Sequence, residues 1–106
     1  MNHYTAWVTT DPSCLDGPFA VVVVLQDEIF GYRLDDNGDP DHNAPLWEST
    51  GEQMFSATTG VPHAADGDFI LKNATGVLDN WNWTVTTEWQ AVTTGYVATA
   101  VRKGEI

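Results

Sequence analysis

The run Asp35-Asp36-Asn37-Gly38-Asp39-Pro40-Asp41-His42-Asn43 places oxygen-bearing side chains at Asp35, Asn37, Asp39 and Asp41, every second residue. Such a row suits calcium, a hard cation that takes about six to eight oxygen ligands from flexible carboxylates and carbonyls. The helix-loop-helix calcium motif is matched only in part. Its sixth position, where glycine makes the bend, is Pro40, and its twelfth, where a bidentate Glu belongs, is Leu46. The simpler reading is a solvated acidic loop, with calcium as the alternative and no other cofactor implied.

A second cluster is aromatic. In Trp81-Asn82-Trp83-Thr84-Val85, continuing to Trp89, a strand would put Trp81, Trp83, Val85 and Trp89 on one face, opposite Asn82, Thr84, Thr86 and Glu88. Exposed, that face is a platform for sugar rings or for a partner's apolar anchors. Covered, it is core, the expected reading because tryptophan-rich faces in small domains supply buried area.

Catalytic groupings are thin. Cys14 has His3, His42 and His63 elsewhere in the chain but no surrounding nucleophile signature. The pairs Asp66 with Asp68 and Asp79 with Glu88 arise by chance in a chain with fifteen acidic residues. No two histidines stand four apart as zinc ligands on a helix would, and no glycine-rich run cradles phosphate. No catalytic residue is assigned, and the chain reads as non-enzymatic.

Charge is the stronger signal. Fifteen Asp and Glu against four Lys and Arg give −11, which repels phosphate backbones and anionic headgroups and so argues against direct nucleic-acid or membrane binding. Residues 1–53 hold ten carboxylates and Arg33, for −9; residues 54–106 hold five carboxylates with Lys72, Arg102 and Lys103, for −2. Side chains two apart on a strand are separated by about 6.6 Å, so Asp27, Glu28, Asp35, Asp36, Asp39, Asp41, Glu48 and Glu52 can present a row of negative charge to a basic protein surface. Small acidic inhibitors encoded by phages or mobile elements, immunity proteins and nucleic-acid mimics share this charge and size. Two other readings stand beside this one. The chain is a structural β-subunit of a virion or surface assembly that self-associates through an edge or the Trp face, or a sugar-binding module built on Trp81, Trp83 and Trp89.

These groups need a scaffold. At 106 residues and 42% hydrophobic, with five Trp, three Tyr and four Phe, the chain is expected to fold as one domain over residues 1–106. Thirteen Thr and eleven Val favour strands. The expected fold is mainly β, a small antiparallel sheet, sandwich or barrel. Strands are predicted over Tyr4–Thr9, Phe19–Leu25, Ile29–Leu34, Phe69–Lys72, Trp81–Trp89 and Tyr96–Arg102, with a short one at Met54–Thr58. Val21-Val22-Val23-Val24 reads as a strand buried on both faces, and Gln26-Asp27 as a hairpin turn. Asp35–Pro45 and Gly60–Gly67 read as loops. The alternative is α+β, because Trp89, Val92, Tyr96 and Ala100 fall at helical spacing within about 87–103. Against that helix stand five Thr and Gly95, which favour a hairpin turning near Thr94-Gly95. A single cysteine, no basic leader before an apolar stretch, and a longest apolar run of seven residues lead to the expectation of a soluble, cytoplasmic protein.

Overall fold

In the computed structural model, which describes residues 3–104, a six-stranded antiparallel sheet carries one helix on one face. The strands are β1 (His3–Thr9), β2 (Phe19–Leu34), β3 (Pro40–Pro62), β4 (Trp83–Val85), β5 (Gln90–Val92) and β6 (Gly95–Arg102), and the helix, α1, spans Gly67–Asn80. Their order across the sheet is β3-β2-β1-β6-β4, with β5 paired to β6 beside β4. The sheet stays open, so the mainly β expectation is met by a single layer, with the helix where a sandwich has its second sheet.

Period-two alternation explains the covered face. Tyr4, Ala6 and Val8 of β1 and Ala20, Val22 and Val24 of β2 are buried, with half-exposed neighbours between them. The register sets Ala6 opposite Val24 and Ala98, and Tyr4 opposite Ala100. Alanines here let the helix come close. From α1, Ile70, Ala74 and Leu78 reach this face at spacings of four, the helical repeat. Asp66 caps the helix by accepting from the Asp68 amide at 3.2 Å. Asn82, at φ 68°, turns the chain out of the helix and delivers Trp83 to the core, edge-on to Tyr4 at 5.0 Å. Arg102 lies over the Trp83 ring at 4.9 Å and closes that end.

Several expectations are corrected. Phe69–Lys72 is helical rather than a strand: the apolar triplet Phe69-Ile70-Leu71 begins a helical period that continues to Leu78. Residues 87–103 hold no helix; they form β5, a turn at Thr93-Thr94 and β6, because β6 pairs with β1 along its length. Trp81–Trp89 is a strand only at Trp83–Val85. Gln26-Asp27 is not a turn, since β2 runs straight through to Leu34. The hairpin turns at 35–39, and Asp35–Pro45 shrinks to that turn while β3 takes in Gly60, Val61 and Pro62 at its other end. Pro40 and Pro45 are tolerated because β3 is the edge strand, where a missing N–H removes no bond from an outer ladder.

Val21–Val24 is buried on one face only. On the other, Trp7 stands opposite Val23 and Val97, and Thr5 opposite Leu25 and Thr99, all half-exposed.

Candidate functional site

Among the described residues, β1 reaches as far as the pair His3 with Asp27, whereas β2 and β3 continue past it as a ribbon with no third strand and no helix behind it. About seven residues at 3.3 Å each make it project roughly 23 Å. The molecule accordingly measures 49 by 31 by 23 Å. No residue from Glu28 to Thr58 is buried.

The turn is held by its own side chains. Asp35 accepts the amides of Asn37 and Asp39 at 2.9 and 3.0 Å, its carbonyl accepts Gly38 N–H at 3.0 Å, and Gly38 takes φ 81°. The aspartate caps the turn, and Gly38 supplies its one left-handed residue. Asp41 accepts the Asn43 amide at 2.9 Å. Tyr32 meets His42 edge-on at 4.8 Å along the ribbon.

At the root, β3 carries extra residues. Between the pairs Leu25–Gln53 and Asp27–Ser49, β2 advances two residues and β3 four, with Gly51 at φ 81°. Such a bulge bends and re-aims a strand pair. Thr50 Oγ1 donates to the Gln26 carbonyl at 3.1 Å, tying the bulge to β2. Asp27, only 8% exposed, accepts the Thr5 hydroxyl and meets His3 Nδ1 at 2.7 Å, while the His3 ring stacks on Trp47 at 4.0 Å. Asp27 is therefore removed from the partner-facing set: its carboxylate is spent inside the root.

The other seven predicted carboxylates come together on this one hairpin. Asp35, Asp36, Asp39 and Asp41 cluster at the tip, Glu28 faces Glu48 directly across the ladder, and Glu52 sits at the root bulge. Arg33 is the one cation among residues 28–52. The positive groups with described contacts lie elsewhere: Arg102 on Trp83, and Lys103 on Asp79 beyond the helix. Like charges opposed across a ladder destabilise it by about 0.2–1 kcal/mol, so the ribbon carries its acidity at a local cost.

Sequence reasoning missed the apolar half of this surface. Ile29, Phe30, Leu34 and Trp47 are all exposed on the ribbon, Phe30 at 58% and Leu34 at 68%. Ile29–Leu34 reads as a strand, but nothing in the sequence alone shows that this strand has no element packed against it. Carboxylates beside exposed aromatics give the ribbon both long-range steering and anchors for a desolvated contact.

The remaining predicted sets are the metal ligands, the tryptophans and the cysteine. Asp35 and Asp41 spend acceptor capacity on backbone amides, and among the described residues no three His, Cys, Asp or Glu gather to hold a metal ion. Trp83 is core at 4% exposure, Trp81 sits exposed at the helix end against Phe55, and Trp89 donates its N–H to Thr75 at 3.1 Å. The three indoles do not share a face, which removes the platform. Cys14 lies exposed in the short turn after Asp11. Among the described residues no helix is long and apolar enough to cross a membrane. Comparison with protein-family models, curated proteins and solved structures returns no match.

Proposed function

We propose that the protein is a binding protein that presses its acidic ribbon onto a basic surface of another protein and so blocks that surface, in the manner of small acidic inhibitors and immunity proteins. The observation that carries this reading is the gathering of seven carboxylates on a projecting hairpin without a buried residue. A ribbon with seven carboxylates and Arg33 as its one Lys or Arg suits a surface that otherwise holds a polyanion, so a nucleic-acid-binding protein is the favoured target. The reading places the protein in the cytoplasm with such targets and requires no cofactor.

The test is capture from host lysate at low and high salt, followed by identification of the bound protein and measurement of its binding to the purified chain. The expected partner is basic, is displaced by a short DNA duplex, and associates at least tenfold more slowly with the variant carrying Asp35→Asn, Asp36→Asn, Asp39→Asn and Asp41→Asn. A partner whose binding ignores both salt and these four substitutions overturns the reading.

A further inference from the structure

The sheet face opposite α1 points to a second contact that does not involve the ribbon. Val21, Val22, Val23, Val24 and Leu25 are apolar on both sides of β2, the pattern of a strand covered on both faces, yet the helix covers only the Val22 and Val24 side. On the open side, Trp7 stands at the centre of the sheet, between Val23 and Val97. Two hollows open on this side: one of about 560 Å³ lined in part by Thr9, Val21 and Val23, the other of about 170 Å³ lined in part by Thr5, Val97 and Thr99. Trp7 Nε1 is shielded from solvent and has no hydrogen-bond acceptor.

We infer that this face is covered by the same face of a second copy of the chain, giving a two-fold dimer of stacked sheets with the ribbons left free. Charge selects the occupant. In a molecule of net charge −11 the central strands present only Trp, Val, Leu and Thr here; Asp16 and Glu88, which line the hollows, stand on flanking loops, and Asp27 is spent at the root. A partner chosen for its basic groups finds no counter-charge on the central strands. A second copy has a matching uncharged face, and a two-fold axis sets the same patch against itself. Each copy's Trp7, Val23 and Val97 then pack against the other's.

Area agrees. Five strands at about 4.8 Å and seven residues at about 3.4 Å give a face of about 24 by 24 Å, or about 1,100 Å² over two copies before side-chain relief is counted. That clears the roughly 1,000 Å² a specific interface needs. Stacked antiparallel sheets about 10 Å apart are the ordinary way to bury two such faces.

The salt dependence has a sign that separates this contact from ribbon docking. Two copies of charge −11 repel, so salt strengthens the dimer by screening, whereas it weakens an acidic ribbon on a basic partner. Sedimentation equilibrium on the purified chain, from about 1 μM to about 1 mM, is expected to show a dimer whose dissociation constant falls severalfold between about 50 mM and about 500 mM salt. Val23→Lys is expected to raise that constant at least tenfold, although it lowers the net negative charge and so reduces repulsion. Neutralising Asp35, Asp36, Asp39 and Asp41 to Asn is expected to leave the dimer intact. If circular dichroism shows Val23→Lys unfolded, Val21→Thr decides: a threefold or larger weakening supports the proposal and a smaller one overturns it. A chain that stays monomeric to about 1 mM at both salts, whatever other protein covers the face, overturns it. So does a dimer indifferent to Val23→Lys and Val21→Thr, or one lost in the aspartate variant while those two keep it.

Discussion

β2 passes through two environments in sixteen residues. From Phe19 to Asp27 it lies beside β3, with β1 on its other side from Val21 onward and α1 behind it, and Ala20, Val22, Val24 and Asp27 are buried. From Glu28 to Leu34, among the described residues, it has β3 alone and no buried side chain. The backbone conformation is the same; what differs is the source of stability. The first stretch draws on apolar area removed from water at about 25 cal/mol per Å². The second rests on a capped turn, cross-strand pairs and a stacked His3–Trp47 root, each contributing about 1 kcal/mol or less. One half of the hairpin is therefore built for the fold, and the other is free to carry charges and aromatics that the fold does not need.

Hydrogen exchange tests this contrast most directly and carries the largest expected effect. Amides of Val22 to Val24 should open only with global unfolding, at about 5–15 kcal/mol, while ribbon amides open locally at about 1–2 kcal/mol. Exchange rates along a single strand should then differ by about a hundredfold or more across Asp27. A uniform rate along β2 breaks the comparison.

Next in size are substitutions in the body. Leu78→Ala, in the fully buried row of α1, should cost about 2–5 kcal/mol in denaturant unfolding. Gly95→Ala should cost at least as much, because Gly95 sits at φ 153° with the Val8 carbonyl where a Cβ would go. Phe30→Ala on the ribbon, though it removes a larger side chain than Leu78→Ala, should stay within about 0.5 kcal/mol, since Phe30 is already more than half exposed. A ribbon substitution as costly as a body one means the ribbon packs on something and is not free.

The body was the more legible region, for the same reason. β1 and β6 follow the alternation read over Tyr4–Thr9 and Tyr96–Arg102, because burial of one face imposes period two on the sequence. The hairpin at Thr93-Thr94 was legible from its threonines and Gly95. α1 was not, since Asn73, Thr75 and Gly76 are poor helix formers and only the spacing Ile70, Ala74, Leu78 carries the period; tertiary packing overrides propensity there. On the ribbon no burial disciplines the pattern. The acids were found by composition, but their shared hairpin was hidden by Pro40 and Pro45, which look like strand breakers until β3 is known to be an edge. Asp27 differs from its acidic neighbours only through His3 and Thr5, which register alone brings to it.

The smallest expected effect bears most closely on function. Glu28 and Glu48 face each other in register, a like-charge pair that any basic substitution would relieve. Glu48→Lys turns it into an opposite-charge pair and should stabilise the ribbon by about 0.5–1 kcal/mol, read as ribbon amides exchanging about two- to fivefold more slowly while body amides are unchanged. The same change shifts the ribbon's charge by two toward positive, so the proposed docking should slow as the ribbon firms. Opposite movements in stability and association rate identify the pair as a feature kept for binding at the expense of the strand ladder. If the ribbon firms while association with the captured partner stays the same, the two glutamates lie outside the contact, and the docking surface narrows to the aspartates of the tip.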